Sequence, residues 1–473
     1  MTSIKSLRSI FGDAMIDGDD SRSTRYRLDQ VGDASYGRTP RAVVYPTETQ
    51  HVVELMRWAT THQIPVTARG GGSGLAGGAI PAEHGVVCAF ERMNRIIEVD
   101  TDNYVAVLEP GVVTSRLDEV LQPHGLFFAG YPMSEDICCI GGNVAENAGG
   151  GRAVKYGTTA NYVLGAEVVT ASGEILRLGG KRLKDVTGYN LLQLMIGSEG
   201  TLGLFTEITL RLVPRPGARA VAFAAFPDSE AAARCVADLK RFGALSAVEF
   251  IDGETARQTN LGLPASQRTP LPDSAEAFLL VELDGVDQVQ VATAMASVRT
   301  VIAGRSGAVV VEGSDDESVE RAWKLRKAVP WWTKRVAGEA HSLEDVVVPP
   351  ARIPELVQCA DELRRRYAVP IAVFGHAGDG NFHITPMKDP EMDLTDWRAT
   401  IDALLRDLYA AVRSLGGTIS GEHGIGRKRT RYLPLVLGAQ ERAAMRAVKH
   451  ALDPNGILNP GVALDDSPLD GVG

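Results

Sequence analysis

The string Phe374-Gly375-His376-Ala377-Gly378-Asp379-Gly380-Asn381-Phe382-His383 and the later Gly421-Glu422-His423-Gly424 put three imidazoles and two carboxylates into two short stretches. These are donors for a metal site with a base beside it. If Asp379-Gly380 forms a two-residue type I′ turn between the apolar runs 371–374 and 382–386, the segment is a β-hairpin. His376 then lies directly opposite His383. Opposed residues hold their Cβ atoms about 4.5–5.5 Å apart on one face, close enough for two ring nitrogens to share a cation at about 2.0–2.1 Å. Along an unbroken strand the same spacing would put the two rings on opposite faces, so the turn is required. His376, His383 and Glu422 make a two-nitrogen, one-oxygen set with room for an exogenous ligand, in the style of a catalytic site. Zinc is the expected ion, and manganese, iron or cobalt would suit the same donors.

A second chemistry lies upstream. Residues 69–78, Arg69-Gly70-Gly71-Gly72-Ser73-Gly74-Leu75-Ala76-Gly77-Gly78, contain a literal G-x-G-x-x-G at Gly72, Gly74 and Gly77. A dinucleotide fingerprint needs its third glycine to open a helix. Here Gly78-Ala79-Ile80-Pro81 leads instead through a turn into an apolar run, so that reading fails. Successive glycines can still present several backbone N–H groups to one anion, as a pyrophosphate nest requires, with Arg69 and Ser73 adding charge and a hydroxyl. A second loop, residues 140–151, sets Asn143 and Asn147 among small residues and suits close approach to a planar ligand. Its structural alternative is a helix cap followed by a glycine turn. The third, residues 197–203, is a polar turn before an apolar strand. Three such loops are hard to explain structurally, because each glycine costs conformational entropy.

The elements that must carry these groups read as α+β. The pattern predicts a helix over 47–62, strands at 64–67, 85–90 and 204–213, and a domain boundary at Pro214 and Pro216. Beyond it, strands at 220–226, 277–283 and 308–312 and helices at 229–242 and 289–302 predict an antiparallel sheet with helices on one face. The hairpin belongs to this second unit.

Bulk properties narrow the function. The 473 residues suit two or three domains. A net charge of −10 without a basic run argues against nucleic acid. Cys88, Cys138, Cys139, Cys235 and Cys359 form no C-x-x-C pair, which excludes the usual iron–sulfur and zinc-ribbon spacings and fits a reducing compartment. The N-terminus lacks a signal-peptide core, and no stretch reaches about 18 apolar residues, so a cytoplasmic protein without a transmembrane segment is expected.

In order along the chain, residues 69–78 and 141–150, Lys155-Tyr156-Gly157, Asp185-Val186-Thr187-Gly188-Tyr189-Asn190, residues 197–203, 376–383 and 421–426, and Asn459-Pro460-Gly461 resemble the FAD-linked flavoproteins of the vanillyl-alcohol oxidase or PCMH type. The resemblance is to their D-lactate, glycolate and D-2-hydroxyglutarate dehydrogenase branch, and spans about residues 41–461. It implies a PCMH-type FAD-binding domain of two α+β lobes at 1–215, an α+β cap domain carrying the substrate site at 216–415, and a segment 416–473 returning to the FAD domain. It implies flavin contacts from Arg69, Gly70, Gly71, Gly72, Ser73, Gly74, Gly77, Pro132, Gly141, Gly142, Asn143, Asn147, Gly149, Gly150, Tyr156, Gly157, Glu199, Gly203 and Asn459. Arg326 matches the family's carboxylate-binding arginine, with Lys334 and Arg335 as substitutes, and Asn381 joins the substrate set. His423 matches the catalytic base.

The implied reaction oxidises a D-2-hydroxy acid to the 2-oxo acid, hydride passing to flavin N5 and a proton to His423. Some family members link flavin through a His or Cys near the first loop. That loop has neither here, so non-covalent FAD is expected, with Cys138 and Cys139 the residual candidates. In the hydroxyglutarate branch the segment before Val346 supplies a lysine, whereas this chain has Ser342-Leu343-Glu344-Asp345, an acidic pair expected to repel a dicarboxylate. Electrons must leave for an external quinone, cytochrome or electron-transfer flavoprotein, or for oxygen. A homodimer is compatible with the sequence. The competing readings are a flavin-free two-histidine, one-carboxylate metal enzyme and a flavin-binding subunit of a multi-chain complex.

Overall fold

The computed structural model describes residues 2–338 and 340–464. The end of the expected return segment, residues 465–473, lies outside the described residues. Two compact units form, one from Met1–Ala148, Thr158–Pro214 and Glu422–Gly473, the other from Gly149–Gly157 and Arg215–Gly421.

In the first unit, short apolar runs at Met15–Asp17 (β1), Ala42–Val44 (β2), Val66–Arg69 (β3) and Val86–Ala89 (β4) pair in the order β1-β2-β4-β3. β2 and β3 both run parallel to β4. Parallel strands need a crossover, and the Thr49–His62 helix provides one, burying Val52, Val53, Leu55, Met56 and Ala59 at helical spacing. Residues 457–459 come back beside β3, where Val66 N–H donates to Ile457 O (2.8 Å) and Asn459 N–H donates to Val66 O (2.9 Å). A second, antiparallel sheet follows from Ile96–Asp100 (β5), Val105–Leu108 (β6), Val163–Val169 (β7), Ile175–Gly179 (β8) and Leu204–Arg211 (β9), ordered β5-β6-β9-β7-β8. These sheets head the two α+β lobes.

The second unit is built on seven antiparallel strands: Ala218–Phe226 (β10), Leu245–Asp252 (β11), Ala277–Gly285 (β12), Ala308–Gly313 (β13), Glu344–Val347 (β14), Ile371–His376 (β15) and Asn381–Pro386 (β16). Their order is β13-β10-β12-β11-β15-β16-β14. Phe223, Phe226, Phe250, Phe278, Phe374 and Phe382 are fully buried in this unit. Five of its helices start at a capping aspartate: Asp228, Asp252, Asp287, Asp315 and Asp393 each accept a backbone N–H from the first turn. β11 was not anticipated, although its apolar run between Gly243 and Gly253 is a strand signal.

Helices cover both faces of the sheet rather than one. Successive strand residues point to opposite sides. Tyr409 of the Leu394–Ser414 helix hydrogen-bonds Glu344 on one side. On the other, Trp323 of the Asp316–Ala337 helix donates from Nε1 to Glu282 Oε2 (2.6 Å). The short segment Gly149–Gly157 belongs to this second side too, with Arg152 Nε donating to Glu282 Oε1 (3.0 Å) and Tyr156 OH to Asp284 Oδ2 (2.8 Å).

Candidate functional site

The hairpin forms, with a different register from the expected one. Residues 377–380 all lie in the turn, so His376 pairs with Asn381, and His383 pairs with Phe374. The turn is longer because it is tied to the neighbouring strand: Gly378 N–H donates to Val248 O (3.1 Å), and Gly380 N–H closes on Ala377 O (3.2 Å). Gly380, at φ +88°, has no space for a side chain, since a Cβ there would sit 2.0 Å from Val348 O. The two histidines are therefore diagonal neighbours instead of direct opposites. A slip of two residues preserves the face, and the rings still meet edge to face with centroids 5.4 Å apart.

Around them one face of the sheet carries a buried polar row. Register brings Glu249 opposite His376 and Asp345 opposite His383. Glu249 Oε1 lies 2.7 Å from His376 Nδ1, and Glu249 Oε2 lies 2.6 Å from Arg326 Nε. Both Glu249 and Arg326 are at most 1% exposed. The helix buries Arg326 together with Val319, Ala322, Trp323 and Val329 and leaves Lys324, Lys327, Lys334 and Arg335 outside, which removes the last two as substitutes. The guanidinium also lies over the Phe374 ring, 5.0 Å from its centroid. Its Nη2 is buried without a hydrogen-bond partner among the described residues.

Sequence reasoning missed Glu249 and misread two neighbours. Glu344 and Asp345 do not act as a pair, because adjacent strand residues face opposite ways. Glu344 is held by Ser342 and Tyr409. Asp345 faces the histidines, offering an oxygen within 4.8 Å of a His383 nitrogen. It accepts from Asn381 Nδ2 (2.8 Å), Ser420 Oγ (2.8 Å) and Gly421 N–H (2.9 Å). Asn381 spends its amide donors on Asp345 Oδ1 and Val346 O, so it braces Asp345 and has no N–H left for a substrate. Glu422 follows Gly421 directly in the chain, and its Oε1 lies 3.5 Å from His423 Nε2.

In the first unit the three glycine segments pack on one another. The second begins as a helix, Ile140–Glu146, ended by Asn147 at φ +52°. Asn143 is buried inside and donates to Thr114 Oγ1 (2.9 Å). A Cβ on Gly70 would lie 3.1 Å from Cys139 Cβ, and one on Gly71 only 2.0 Å from Ile137 O. Those glycines serve loop-to-loop packing. Gly142 and Gly74 differ: a Cβ on Gly142 would meet nothing within 4 Å, and one on Gly74 only Asp29 Oδ2 at 3.8 Å. Asn459 ties first loop to third, its Nδ2 donating to Gly78 O (2.8 Å) and Glu199 O (3.0 Å).

The profile of the FAD binding domain matches residues 40–179, and that of the C-terminal domain of FAD-linked oxidases matches residues 215–463. The chain belongs to the FAD-linked oxidase family. Among curated relatives, a glycolate oxidase subunit GlcD of Bacillus subtilis is 37% identical over 94% of the chain and 93% of its own length. A D-lactate dehydrogenase of Archaeoglobus fulgidus is 36% identical over 93% and 95%. The crystal structure of p-cresol methylhydroxylase with substrate bound has the same fold, with a TM-score of 0.80 at 19% identity, covering 98% of this chain and 96% of that one.

The first-unit loops fit FAD, with backbone accessible at Gly74 and Gly142 and positive φ at Gly72 and Gly77. Arg69 does not supply the expected charge. Its Nη2 donates to Leu28 O (2.9 Å) and Arg25 O (3.2 Å) and its Nη1 to Ala79 O (3.2 Å), so it stiffens the loop from behind. Pro132 lies half-buried in the connection before the Ile140–Glu146 helix. Gly203 is required by packing, its Cβ position being 2.4 Å from Val168 Cγ1. Gly149, Gly150, Tyr156 and Gly157, expected with the flavin set, fall in the second unit. Among the described residues no helix is long and apolar enough to cross a membrane.

Proposed function

We propose that this FAD-linked oxidoreductase oxidises a D-2-hydroxy acid of the D-lactate or glycolate type to the 2-oxo acid. The observation that carries the reading is Arg326, a buried guanidinium with its Nε paired to Glu249 and its Nη2 without a hydrogen-bond partner among the described residues, the donor that a substrate carboxylate would take. FAD, when bound, would supply a hydride acceptor, and a divalent cation, which His376, His383 and Glu422 would hold with Asp345 as a further oxygen donor, would supply Lewis acidity toward the substrate hydroxyl. The protein's own residues do the rest. Arg326 orients the carboxylate so that the C2–H bond has one direction. Glu249, by accepting from His376 Nδ1, would fix that ring so that it ligates through Nε2. His423 takes the hydroxyl proton as C2–H leaves with its electron pair. Asp345 on the histidine face disfavours a second substrate carboxylate, which supports a monocarboxylate.

The test is anaerobic flavin bleaching against D- and L-2-hydroxy acids. D-lactate or glycolate should bleach the flavin, and preference for an L-acid or for hydroxyglutarate would sink the assignment. Dialysis against a chelator should lower the bleaching rate by about 10²-fold or more, with flavin absorbance retained and recovery on adding Zn²⁺ or Mn²⁺. An unchanged rate in metal-free protein rules out the cation.

Non-covalent FAD is supported by the cysteines nearest the first loop. Burial pushes the Cys139 thiol up to about 12 and raises that of Cys138, so neither forms the nucleophilic thiolate readily. Acid precipitation should leave yellow flavin in the supernatant; colour remaining in the pellet means a covalent link. The flavin-free metal-enzyme reading leaves the FAD binding domain unexplained. Relatives named as a glycolate oxidase subunit favour an external acceptor chain, which turnover of the isolated protein with an artificial acceptor would separate from lost catalysis.

A further inference from the structure

We infer that Glu199, expected among the flavin contacts, is a positioning residue that clamps the turn carrying His423. The inference rests on the proposed role of His423 as base. Residues 421–426 include Gly421, Gly424 and Gly426, a segment with little conformational preference of its own. A base must stay within hydrogen-bond reach of the proton it abstracts, about 2.6–3.2 Å, and such a segment does not hold a side chain to that tolerance by itself.

Glu199 provides the missing constraint. Its carboxylate is buried and accepts one N–H on each oxygen, from Ile425 at 2.8 Å and from Gly426 at 2.7 Å. The clamp is itself held rigidly. Glu199 sits at φ +53°, unusual for a residue with a side chain. Its N–H donates to Ala145 O (2.8 Å), and its carbonyl accepts from Asn459 Nδ2 (3.0 Å). The turn fits no other arrangement closely: a Cβ on Gly424, at φ +80°, would lie 2.2 Å from Glu146 Oε2, and one on Gly426 1.9 Å from Ala76 O. Arg429 Nη1 closes the far side on Gly424 O (3.0 Å). With both oxygens bound to backbone N–H groups, the Glu199 carboxylate acts on the peptide two residues beyond His423 and not on the cofactor.

The test compares FAD-loaded Glu199→Gln, Glu199→Asp and His423→Ala with wild type, using D-lactate and an artificial acceptor. Glutamine keeps one acceptor and turns an NH₂ toward the second N–H, while aspartate keeps the charge and loses reach. For Glu199→Gln we expect kcat per bound flavin to fall about 10²-fold, with KM for D-lactate and flavin stoichiometry within about twofold of wild type. Glu199→Asp, the fallback if Gln does not fold, should show the same split. Flavin loss with unchanged kcat per bound flavin would overturn the clamp in favour of a cofactor contact. An inactive His423→Ala beside a fully active Glu199→Gln refutes the clamp alone. A fully active His423→Ala removes the base assignment and this inference with it.

Discussion

Replacing His423 with alanine should lower turnover of the proposed 2-hydroxy acid by about 10²–10⁴-fold while the protein keeps its flavin, the range expected for loss of a positioned general base. The hydroxyl of the substrate is far too weak an acid for an imidazole to deprotonate unless a cation also stabilises the developing alkoxide. On the proposed reading, base and cation would act on the same oxygen. Sequence adjacency supplies the coupling, since His423 follows Glu422 and the two side chains lie 3.5 Å apart. Stopped-flow bleaching under anaerobic conditions isolates this step from reoxidation. Full-rate bleaching in His423→Ala with normal flavin content would assign the proton to another group. Partial rescue by added imidazole would instead support proton transfer at this position.

Glu249→Ala should destabilise the second unit by about 3–5 kcal/mol, because it leaves a buried charge without its partner. Arg326 is 1% exposed, with its Nε 2.6 Å from the carboxylate being removed. His376 loses its Nδ1 partner at the same time. Glu249→Gln keeps volume and one acceptor and should cost less. Replacing Glu249 and Arg326 together by apolar residues of similar size should recover most of the loss, because the buried ions then leave together. A two-unit chain need not unfold in one step, so the reading belongs to hydrogen exchange of β11 and the Asp316–Ala337 helix. Loss below about 1 kcal/mol in Glu249→Ala would mean that the triad carries little stability. The same variant should bind zinc about 10–100-fold more weakly, as for removal of a partner that orients a ligand.

Much of this site could be read along the chain because its signals are local. The glycine runs, the histidines of the hairpin and the Glu422-His423 pair depend on residue type and short spacing. The face shared by His376 and His383 survived a wrong turn length because strand side chains repeat every two residues, so a two-residue slip returns them to the same side. Other readings failed where local sequence carries no information about partners. The Arg69 guanidinium reads as a phosphate donor until three carbonyls are seen around it. Glu344 and Asp345 read as one acidic patch until the pleat sends them to opposite faces.

The sequence alone determined the family, the α+β class and the cofactor domain, because ordered motifs across the chain encode backbone shapes that few other residues could take. Tertiary structure decided which groups touch. Glu249 meets His376 across 127 residues of sequence, Asn459 meets Gly78 across 381, and Glu199 meets Gly426 across 227. Such contacts arise from strand order and from loops packed on loops. Their cost in chain entropy is met by the whole core, so neither end of the contact needs a local signature.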